Sequence, residues 1–530
     1  MSTFVSTIDS NRMIEEAFEL SLPSSVQPAF DKKKIFILVS VFLSLSFAYV
    51  FLFPLIYAIV AISLTLGISC AFFIPLEYAL FGYLFYLLFD GSFKLMTGYH
   101  PLVHVVQDII LICILLRSML DMRSQNLNKI SYTPHISMIL LFSIWVILQY
   151  FNPFGLGILP SIAGSKVYFS EIIVYFLAFH HLSKESRNNI IIWIVGLATF
   201  EAVLATAEYL FFPELIYSIP GSGPLSYGTI SKDIFHGALY RPMGTTALPG
   251  TPSVWMFLGA PFAIYLLLRP EKTLSTRLLA LTFFIFAIPT LIFCQVRISI
   301  VLFLLSIIAV SLYPGTGLTK RFSVVSFSIV SLVALLLILT SQFLPEAEMT
   351  GSILTSATDE MDDVGSFSPA KVMQLQNRTA SLGEVSTYTN ARKGAWSRSV
   401  ELASVMPYGI GLSRVAAAAG PWTDRIKKDP YFGTKWTFAD NLFRAIFTEL
   451  GVFGLVAWLV LVLTFIYSLL KISLRFTKEN KNRGILIWTC SVSPFVFLLG
   501  GFDTEGIIYS PVAGVFWLMF GIGLGEFVHG

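Results

Sequence analysis

The chain is a long succession of apolar segments of about 17 to 25 residues separated by polar connections. A helix of that length crosses a hydrocarbon layer about 30 Å thick. With 55% hydrophobic and only 13% charged residues, the sequence would leave a soluble domain without a polar surface. The apolar–polar alternation of barrel strands is not seen in the sequence. The pattern predicts an all-α, polytopic membrane protein.

The apolar segments predict about fourteen transmembrane helices. We place them at 35–53, 54–73, 76–90, 104–120, 136–151, 169–182, 189–210, 250–268, 277–293, 298–313, 322–343, 441–468, 485–500 and 508–527. Pro54 and Pro75 separate the first three only weakly, so the helix borders in the first hundred residues stay open.

Four parts follow from this segmentation. They are a retained cytoplasmic N-terminal tail (1–34), a bundle of about eleven helices (35–340) with a loop at 211–249, a large and partly helical loop (341–440), and C-terminal transmembrane helices (441–530). Lysine and arginine accumulate in alternate short connections, as in KISLRFTKENKNR, and such connections stay cytoplasmic. The loops 211–249 and 341–440 are then predicted to face outward.

Three arginines, Arg241, Arg297 and Arg392, lie at the predicted outer boundary, where an unpaired cation is costly. Arg241 precedes a Gly- and Pro-rich helix entry, and Arg297 lies in CQVRIS between two apolar segments. Contact with lipid headgroups is the alternative for Arg241, and a snorkelling side chain is the alternative for Arg297. Arg398 belongs to a predicted amphipathic helix that ends at Pro407, and its alternative is a solvated position.

Other candidates stand in or beside the two outward loops. Arg414 follows the Gly-rich GIGLS and can bind an anion together with backbone amides. Asp440 and Asn441 precede the helix that starts at LFRAIF, so Asp440 is either an N-cap or a carboxylate general base. Glu449 is expected to face the bundle and hold an arginine or an amide. His236 is a second choice for acid or base work, with an ordinary loop histidine as its alternative.

Four motifs occur in order: RPMGTTALPGTPS, CQVRIS, ARKGAWSRSVELASVMPYGIGLSR and ADNLFRAIFTELGVFGL. Together they resemble the O-antigen ligase and polymerase superfamily, over about residues 240–468, under half of the chain. The resemblance implies a glycosyltransferase of the bacterial inner membrane that needs neither metal nor cofactor and works at the periplasmic face. Its donor would be an undecaprenyl-diphosphate-linked glycan, and its transfer would be inverting.

Carried over to this chain, the resemblance implies that Arg241, Arg297 and Arg392 bind the diphosphate and that Asp440 is the catalytic residue. Asn441, Glu449, Arg398, Arg414 and His236 would support them. Arginines suit this task because charge develops on the diphosphate as the glycosidic bond breaks. The expected partners are the lipid-linked donor and acceptor, membrane lipids and a chain-length regulator or copolymerase, and no nucleic acid.

The sequence departs from the ligase pattern at one position, because Asp440 stands where that pattern has histidine. The departure favours a polymerase of exopolysaccharide, capsule or O-antigen repeat units over a ligase that transfers glycan to lipid A-core. A polysaccharide transporter or flippase is the alternative of another class, and it would depend on polar residues within the membrane. The candidates for that role are Asp108, Glu201 and Glu449.

Overall fold

The computed structural model describes residues 55–97, 101–124, 133–211, 242–246, 250–269, 273–294, 296–315, 317, 396–415, 422, 425–426, 428, 441–501 and 511–529. All of these lie in one compact unit, Leu55–Gly530. Every regular element among them is a helix, which confirms the all-α prediction. Numbered in chain order, the helices are α1 (Leu55–Phe73), α2 (Leu76–Met96), α3 (Pro101–Ser124), α4 (Ile136–Leu148), α5 (Ile158–Phe169), α6 (Ile172–His181), α7 (Lys184–Phe211), α8 (Pro252–Leu268), α9 (Leu274–Cys294), α10 (Arg297–Ser311), α11 (Leu442–Glu479), α12 (Lys481–Gly500) and α13 (Val512–His529). Residues 396–405 are helical as well.

Within this described part, six helices are long and apolar enough to cross a membrane, namely α2, α7, α9, α11, α12 and α13. The pair α5 and α6 makes a seventh if the two helices form one bent span. Shorter apolar helices include α4, α8 and α10. The chain is thus a multi-pass membrane protein. The count of fourteen stays a prediction, and its segments 35–53 and 322–343 lie outside the described residues.

The structure differs from the predicted span at 169–182, because helix already begins at Ile158. Helices α5 and α6 meet at an angle of 46° around residues 169–171. The predicted spans left 152–168 as a connection, and this stretch contains three glycines and two prolines. Packing overrides that local signal, because α5 lies against a segment from the far part of the chain, as Ser413 donates to Pro160 O at 2.6 Å.

An aromatic cluster fixes the middle of the bundle. The Phe465 ring of α11 lies 4.9 Å from the ring of Tyr175 on α6 and 4.8 Å from that of Phe520 on α13. Helices α6 and α13 approach closely at Gly521, where an added Cβ would lie 2.5 Å from the Cβ of Ala178. Small residues permit such backbone approach in membranes, where packing drives helix association.

Several helix termini meet at one end of the bundle. Ser253 Oγ donates to Ser299 Oγ at 2.9 Å, which joins the start of α8 to the start of α10. The Leu442 amide donates to Gly501 O at 3.0 Å, which joins the start of α11 to the end of α12. Leu302 packs on the last residue of α12 and connects the two pairs. We call this the motif end, because the described parts of all four sequence motifs lie beside these termini.

The other end is defined by an ion-pair group. Arg187 near the start of α7 and Arg483 near the start of α12 both pair with Glu526 near the end of α13. Helix α12 runs from this group to the motif end, so the two ends are opposite. We call this second end the arginine end.

Candidate functional site

Most residues predicted for catalysis lie outside the described residues. This holds for Arg241, Arg392, Asp440 and His236, and for Arg297 the description covers only its backbone, as the first residue of α10. Asn441, Glu449, Arg398 and Arg414 are described with their side chains. The site can therefore be built from the segments that directly adjoin the predicted residues.

The first such segment is 242–246, which follows Arg241 and which we call the Pro242 loop. The amides of Met243 and Gly244 donate to the Glu208 carboxylate of α7 at 2.7 to 3.2 Å. About two turns earlier on α7, Glu201 accepts the Thr245 amide at 3.1 Å and the Thr245 hydroxyl at 2.6 Å. Three successive amides thus point at two buried carboxylates, which fixes the loop against α7.

The centre of the Pro242 loop has no room for a side chain. Gly244 has a φ of 55°, and a Cβ there would overlap the Glu201 carboxylate. The Thr245 carbonyl accepts the Ser92 amide at 2.8 Å, which ties the loop to α2. The Gly250 amide donates to Pro242 O at 2.9 Å, just before α8 begins. The loop after Arg241 is therefore held by α2, α7 and the entry to α8.

The second segment is 406–415, which we call the Gly409 loop, and it pairs with a break in α11. Gly451 has a φ of 73° inside α11, so the helical hydrogen-bond ladder is interrupted there. The Ile410 amide donates to Thr448 O at 3.0 Å, and the Val452 amide donates to Pro407 O at 3.0 Å. The loop thereby bonds backbone groups that the break would otherwise leave unpaired in the membrane.

Glu449 anchors the same loop from within α11. Its side chain is fully buried, and its Oε1 accepts the amides of Arg414 and Val415, each at 2.8 Å. Its Oε2 accepts the Tyr168 hydroxyl at 2.8 Å. The expectation that Glu449 faces the bundle and holds an amide agrees with these contacts. Both oxygens of the carboxylate are hydrogen-bonded, and the contacts of Oε1 fix the Gly409 loop.

Helix α4 and the turn after it hold the Gly409 loop from the other side. Trp145 Nε1 donates to Leu450 O at 2.9 Å, at the break in α11. Gln149 Nε2 donates to Tyr408 O, and Asn152 Nδ2 donates to Gly409 O, both at 3.0 Å. The loop is thus fixed by side chains that lie more than 250 residues away in sequence.

Arg414 lies within this framework. Its side chain is buried, with the residue only 5% exposed, and its Nη2 donates to Phe154 O. The preceding Ser413 adopts a φ of 61° and contacts α5 at Gly164, where a Cβ would lie 2.6 Å from the Ser413 nitrogen. Arg414 therefore braces the turn after α4, while its own amide is bound to Glu449.

Asn441 is the N-cap of α11. Its backbone is extended, and its Oδ1 accepts the Arg444 amide at 2.8 Å. The alternative that Asp440 caps this helix is therefore wrong, since asparagine one residue later has the required geometry. Arg444, which the sequence analysis did not single out, is only 4% exposed. A charged residue in the first turn of an apolar helix was the signal available for it.

Arg398 lies on the short helix at 396–405. Its side chain is exposed, whereas its neighbour Ser399 is buried and accepts the Thr448 hydroxyl at 3.2 Å. The ring of Trp396 lies 6.3 Å from the ring of Phe447 on α11. One face of this helix packs on α11, as amphipathic spacing predicts, and Arg398 is on the solvated face.

A second polar group, unrelated to the four motifs, lies among α2, α3, α5 and α6. Asp90 pairs with Lys94 one turn later, and Asp108 pairs with Lys166 at 2.6 Å. Tyr83 donates to Glu171, at the bend between α5 and α6, at 3.0 Å. The sequence analysis noted only Asp108, because the partners are far apart in the chain. Within the described residues, no three His, Cys, Asp or Glu side chains are arranged to hold a metal ion.

No protein-family model matches the chain, and no curated protein is significantly similar to it. The resemblance to the O-antigen ligase and polymerase superfamily thus stays a prediction that rests on four motifs and on the way their described parts meet at one end of the bundle.

Proposed function

We propose that this protein polymerises undecaprenyl-diphosphate-linked oligosaccharide repeat units, by inverting glycosyl transfer, at the periplasmic face of the bacterial inner membrane. The product would be an exopolysaccharide, a capsule or O-antigen. The single observation that carries the proposal is the convergence at the motif end. Pro242 follows Arg241, Arg297 begins α10, and Asn441 follows Asp440.

The chemistry needs cations on one side of the reacting carbon and a base on the other. Arg241, Arg297 and Arg392 would bind the diphosphate and stabilise the charge that develops when the glycosidic bond breaks. Asp440 would take the proton of the attacking sugar hydroxyl, which then displaces the lipid diphosphate with inversion at the anomeric carbon.

The two anchored loops support this proposal through positioning. A catalytic group has to be held within a fraction of an ångström, and loops bound by buried carboxylates lose much of their freedom. Glu201 and Glu208 hold the residues directly after Arg241. Glu449 lies in α11, the helix that follows Asp440, and it accepts the backbone amides of residues 414 and 415. These glutamates would act on the reaction only by shaping the backbone.

The experiment is a reconstituted transfer reaction. The purified protein in lipid receives an undecaprenyl-diphosphate-linked repeat unit in the presence of EDTA, and the glycan products are separated on a gel. A ladder of products supports a polymerase that works without a divalent metal. The ladder should vanish in Asp440→Ala and persist in Asp121→Ala, a half-exposed aspartate of α3 that pairs with Arg117.

Other outcomes would redirect the proposal. Transfer that occurs only after addition of a lipid A-core acceptor would make the protein a ligase. A ladder that persists at full rate in Asp440→Ala would remove the general base from the proposal while leaving the polymerase in place.

A transporter or flippase is the second candidate, and the polar group of α2, α3, α5 and α6 favours it. Partly buried ion pairs such as Asp108 with Lys166 are typical of membrane pathways for polar solutes. Glu201 and Glu449 no longer support this candidate, because they bind loop amides and hydroxyls. Loss of export in Asp108→Asn, with transfer absent in every assay, would favour the transporter.

A further inference from the structure

At the arginine end, two arginines share one carboxylate. Arg187 is fully buried, and its Nε donates to Glu526 Oε2 at 3.0 Å. Arg483 Nε lies 3.3 Å from Glu526 Oε1, and its Nη2 donates to Glu526 O at 2.5 Å. This pair of arginines therefore carries a surplus positive charge.

A third arginine joins the group from the end of α8. Arg269 is the C-cap of α8 and follows by one turn Tyr265, whose hydroxyl contacts α7. The same hydroxyl donates to Asn188 Oδ1 at 3.3 Å, and Asn188 follows Arg187 on α7. Arg269 thus lies at the end of the bundle where α7 and α12 begin and α8 and α13 end, the end that also holds Arg187, Arg483 and Glu526.

Donor atoms of this group are buried without an acceptor. Arg187 Nη2 has no hydrogen-bond partner, although its Nη1 donates to Leu182 O at 3.1 Å. Arg269 Nε is buried and unpartnered in the same way. A buried N–H of a charged group is costly when it lacks an acceptor, so these donors fit a ligand with several oxygens and negative charge.

We propose that the arginine end binds a phosphate group, with the headgroup of an anionic membrane lipid or a free phosphate ion as its source. Planar guanidinium groups bind phosphate oxygens through paired hydrogen bonds. Arg269 and Arg483 are partly exposed, so the group is reachable from the surface. The basic connections RPEKTLSTR and KENKNR adjoin it, and basic pockets between helices bind anionic headgroups. This site is separate from the motif end and does not depend on the proposed function.

The test measures ligand binding by the purified full-length chain in a neutral detergent. Native mass spectrometry with phosphatidylglycerol should show retained lipid, and phosphatidylcholine of the same chain length should be retained less. The key variant is Arg269→Gln, because Arg187 is too deeply buried to be changed safely. The matched control is Arg475→Gln, an exposed arginine of α11 paired with Glu479. Arg269→Gln should weaken phosphatidylglycerol binding about tenfold, and Arg475→Gln should leave it unchanged.

Two arms separate the sources. Retention of phosphatidylglycerol that excess inorganic phosphate does not displace supports a lipid headgroup. Thermal stabilisation by inorganic phosphate alone, lost in Arg269→Gln, supports a free phosphate ion. The proposal is overturned if Arg269→Gln and Arg475→Gln bind phosphatidylglycerol equally and inorganic phosphate stabilises both alike. A folding control is the melting temperature of Arg269→Gln without ligand, which should stay close to that of the unmodified chain.

Discussion

Buried carboxylates serve different purposes at the two ends of the bundle. At the motif end, Glu201, Glu208 and Glu449 accept backbone amides and fix two loops. At the arginine end, Glu526 pairs with arginine side chains and leaves donors of that group unpartnered. The first arrangement holds backbone in place, whereas the second retains capacity to bind an anion.

This contrast explains why a glutamate within an apolar helix is not by itself a sign of transport. A carboxylate that binds two or three donors is satisfied, and its burial stabilises a particular loop conformation. The Pro242 loop and the Gly409 loop are both held in their conformations in this way.

Removal of Glu449 should have the largest effect. In Glu449→Ala, the buried amides of Arg414 and Val415 and the Tyr168 hydroxyl lose their acceptor. At about 1 to 3 kcal/mol for each unsatisfied group, we expect a loss of about 4 kcal/mol. The measurement is the midpoint of thermal unfolding in detergent. Glu479→Ala, at an exposed position of α11, is the control and should unfold like the unmodified chain. Equal midpoints for both variants would contradict the anchoring role.

Removal of Glu526 should have the next largest effect. Glu526→Ala leaves the fully buried Arg187 without its carboxylate, although Leu182 O still accepts one of its N–H groups. We expect a loss of about 3 kcal/mol, since an uncompensated charge remains in the bundle. The double variant Glu526→Ala and Arg187→Met should regain part of the lost stability in the same unfolding measurement. No recovery in the double variant would argue against the ion pair as the cause.

A side chain at the break in α11 should cost less. Gly451→Ala forces a Cβ onto a residue with a φ of 73° and against Pro407 O. With a ψ of −173°, this conformation is populated essentially only by glycine and costs about 1 to 3 kcal/mol for another residue. Gly196→Ala in α7, where a Cβ meets open space, should change stability by about 0.5 kcal/mol or less. If limited proteolysis cuts the Gly409 loop no faster in Gly451→Ala than in Gly196→Ala, the pairing of loop and helix break is refuted.

Loss of one hydroxyl in the Pro242 loop should have the smallest effect. Thr245→Val removes the hydrogen bond from the hydroxyl to Glu201 and keeps the hydrogen bond from the backbone amide to the same carboxylate. We expect a loss of about 1 kcal/mol, read from the unfolding midpoint. Thr464→Val on the exposed face of α11 removes only a bond to its own helix and should have no measurable effect. A Thr245→Val protein as stable as Thr464→Val would show that the amides alone hold the loop.

Much of the fold could be predicted from the sequence, because each helix that crosses the lipid has to be long and apolar by itself. The apolar run at 485–500 lies within α12, and the run at 277–293 lies within α9. The bend between α5 and α6 could not be predicted, since its cause is packing against Ser413. The Gly409 loop was equally hidden, because a positive φ at Gly451 leaves no mark in the letters TELGVFGL.

The candidate site shows the same division. An arginine or glutamate in an apolar stretch is visible in the sequence, and Glu449 was expected to hold a partner. Its partners Val415, Arg414 and Tyr168 are 34 or more positions away in the sequence. Glu208 was missed because nothing in its neighbours distinguishes it from an ordinary boundary charge, and the position of Arg444 in the first turn of an apolar helix was the only signal for that residue.

The most direct test of the central claim is single-turnover transfer from an undecaprenyl-diphosphate-linked donor by Arg297→Ala, compared with Arg277→Ala. Arg297 begins α10 at the motif end, and Arg277 lies near the start of α9, at the arginine end. If the motif end holds the reacting diphosphate, Arg297→Ala should transfer at least about a hundredfold more slowly, while Arg277→Ala retains the full rate. Equal rates in the two folded variants would contradict the account.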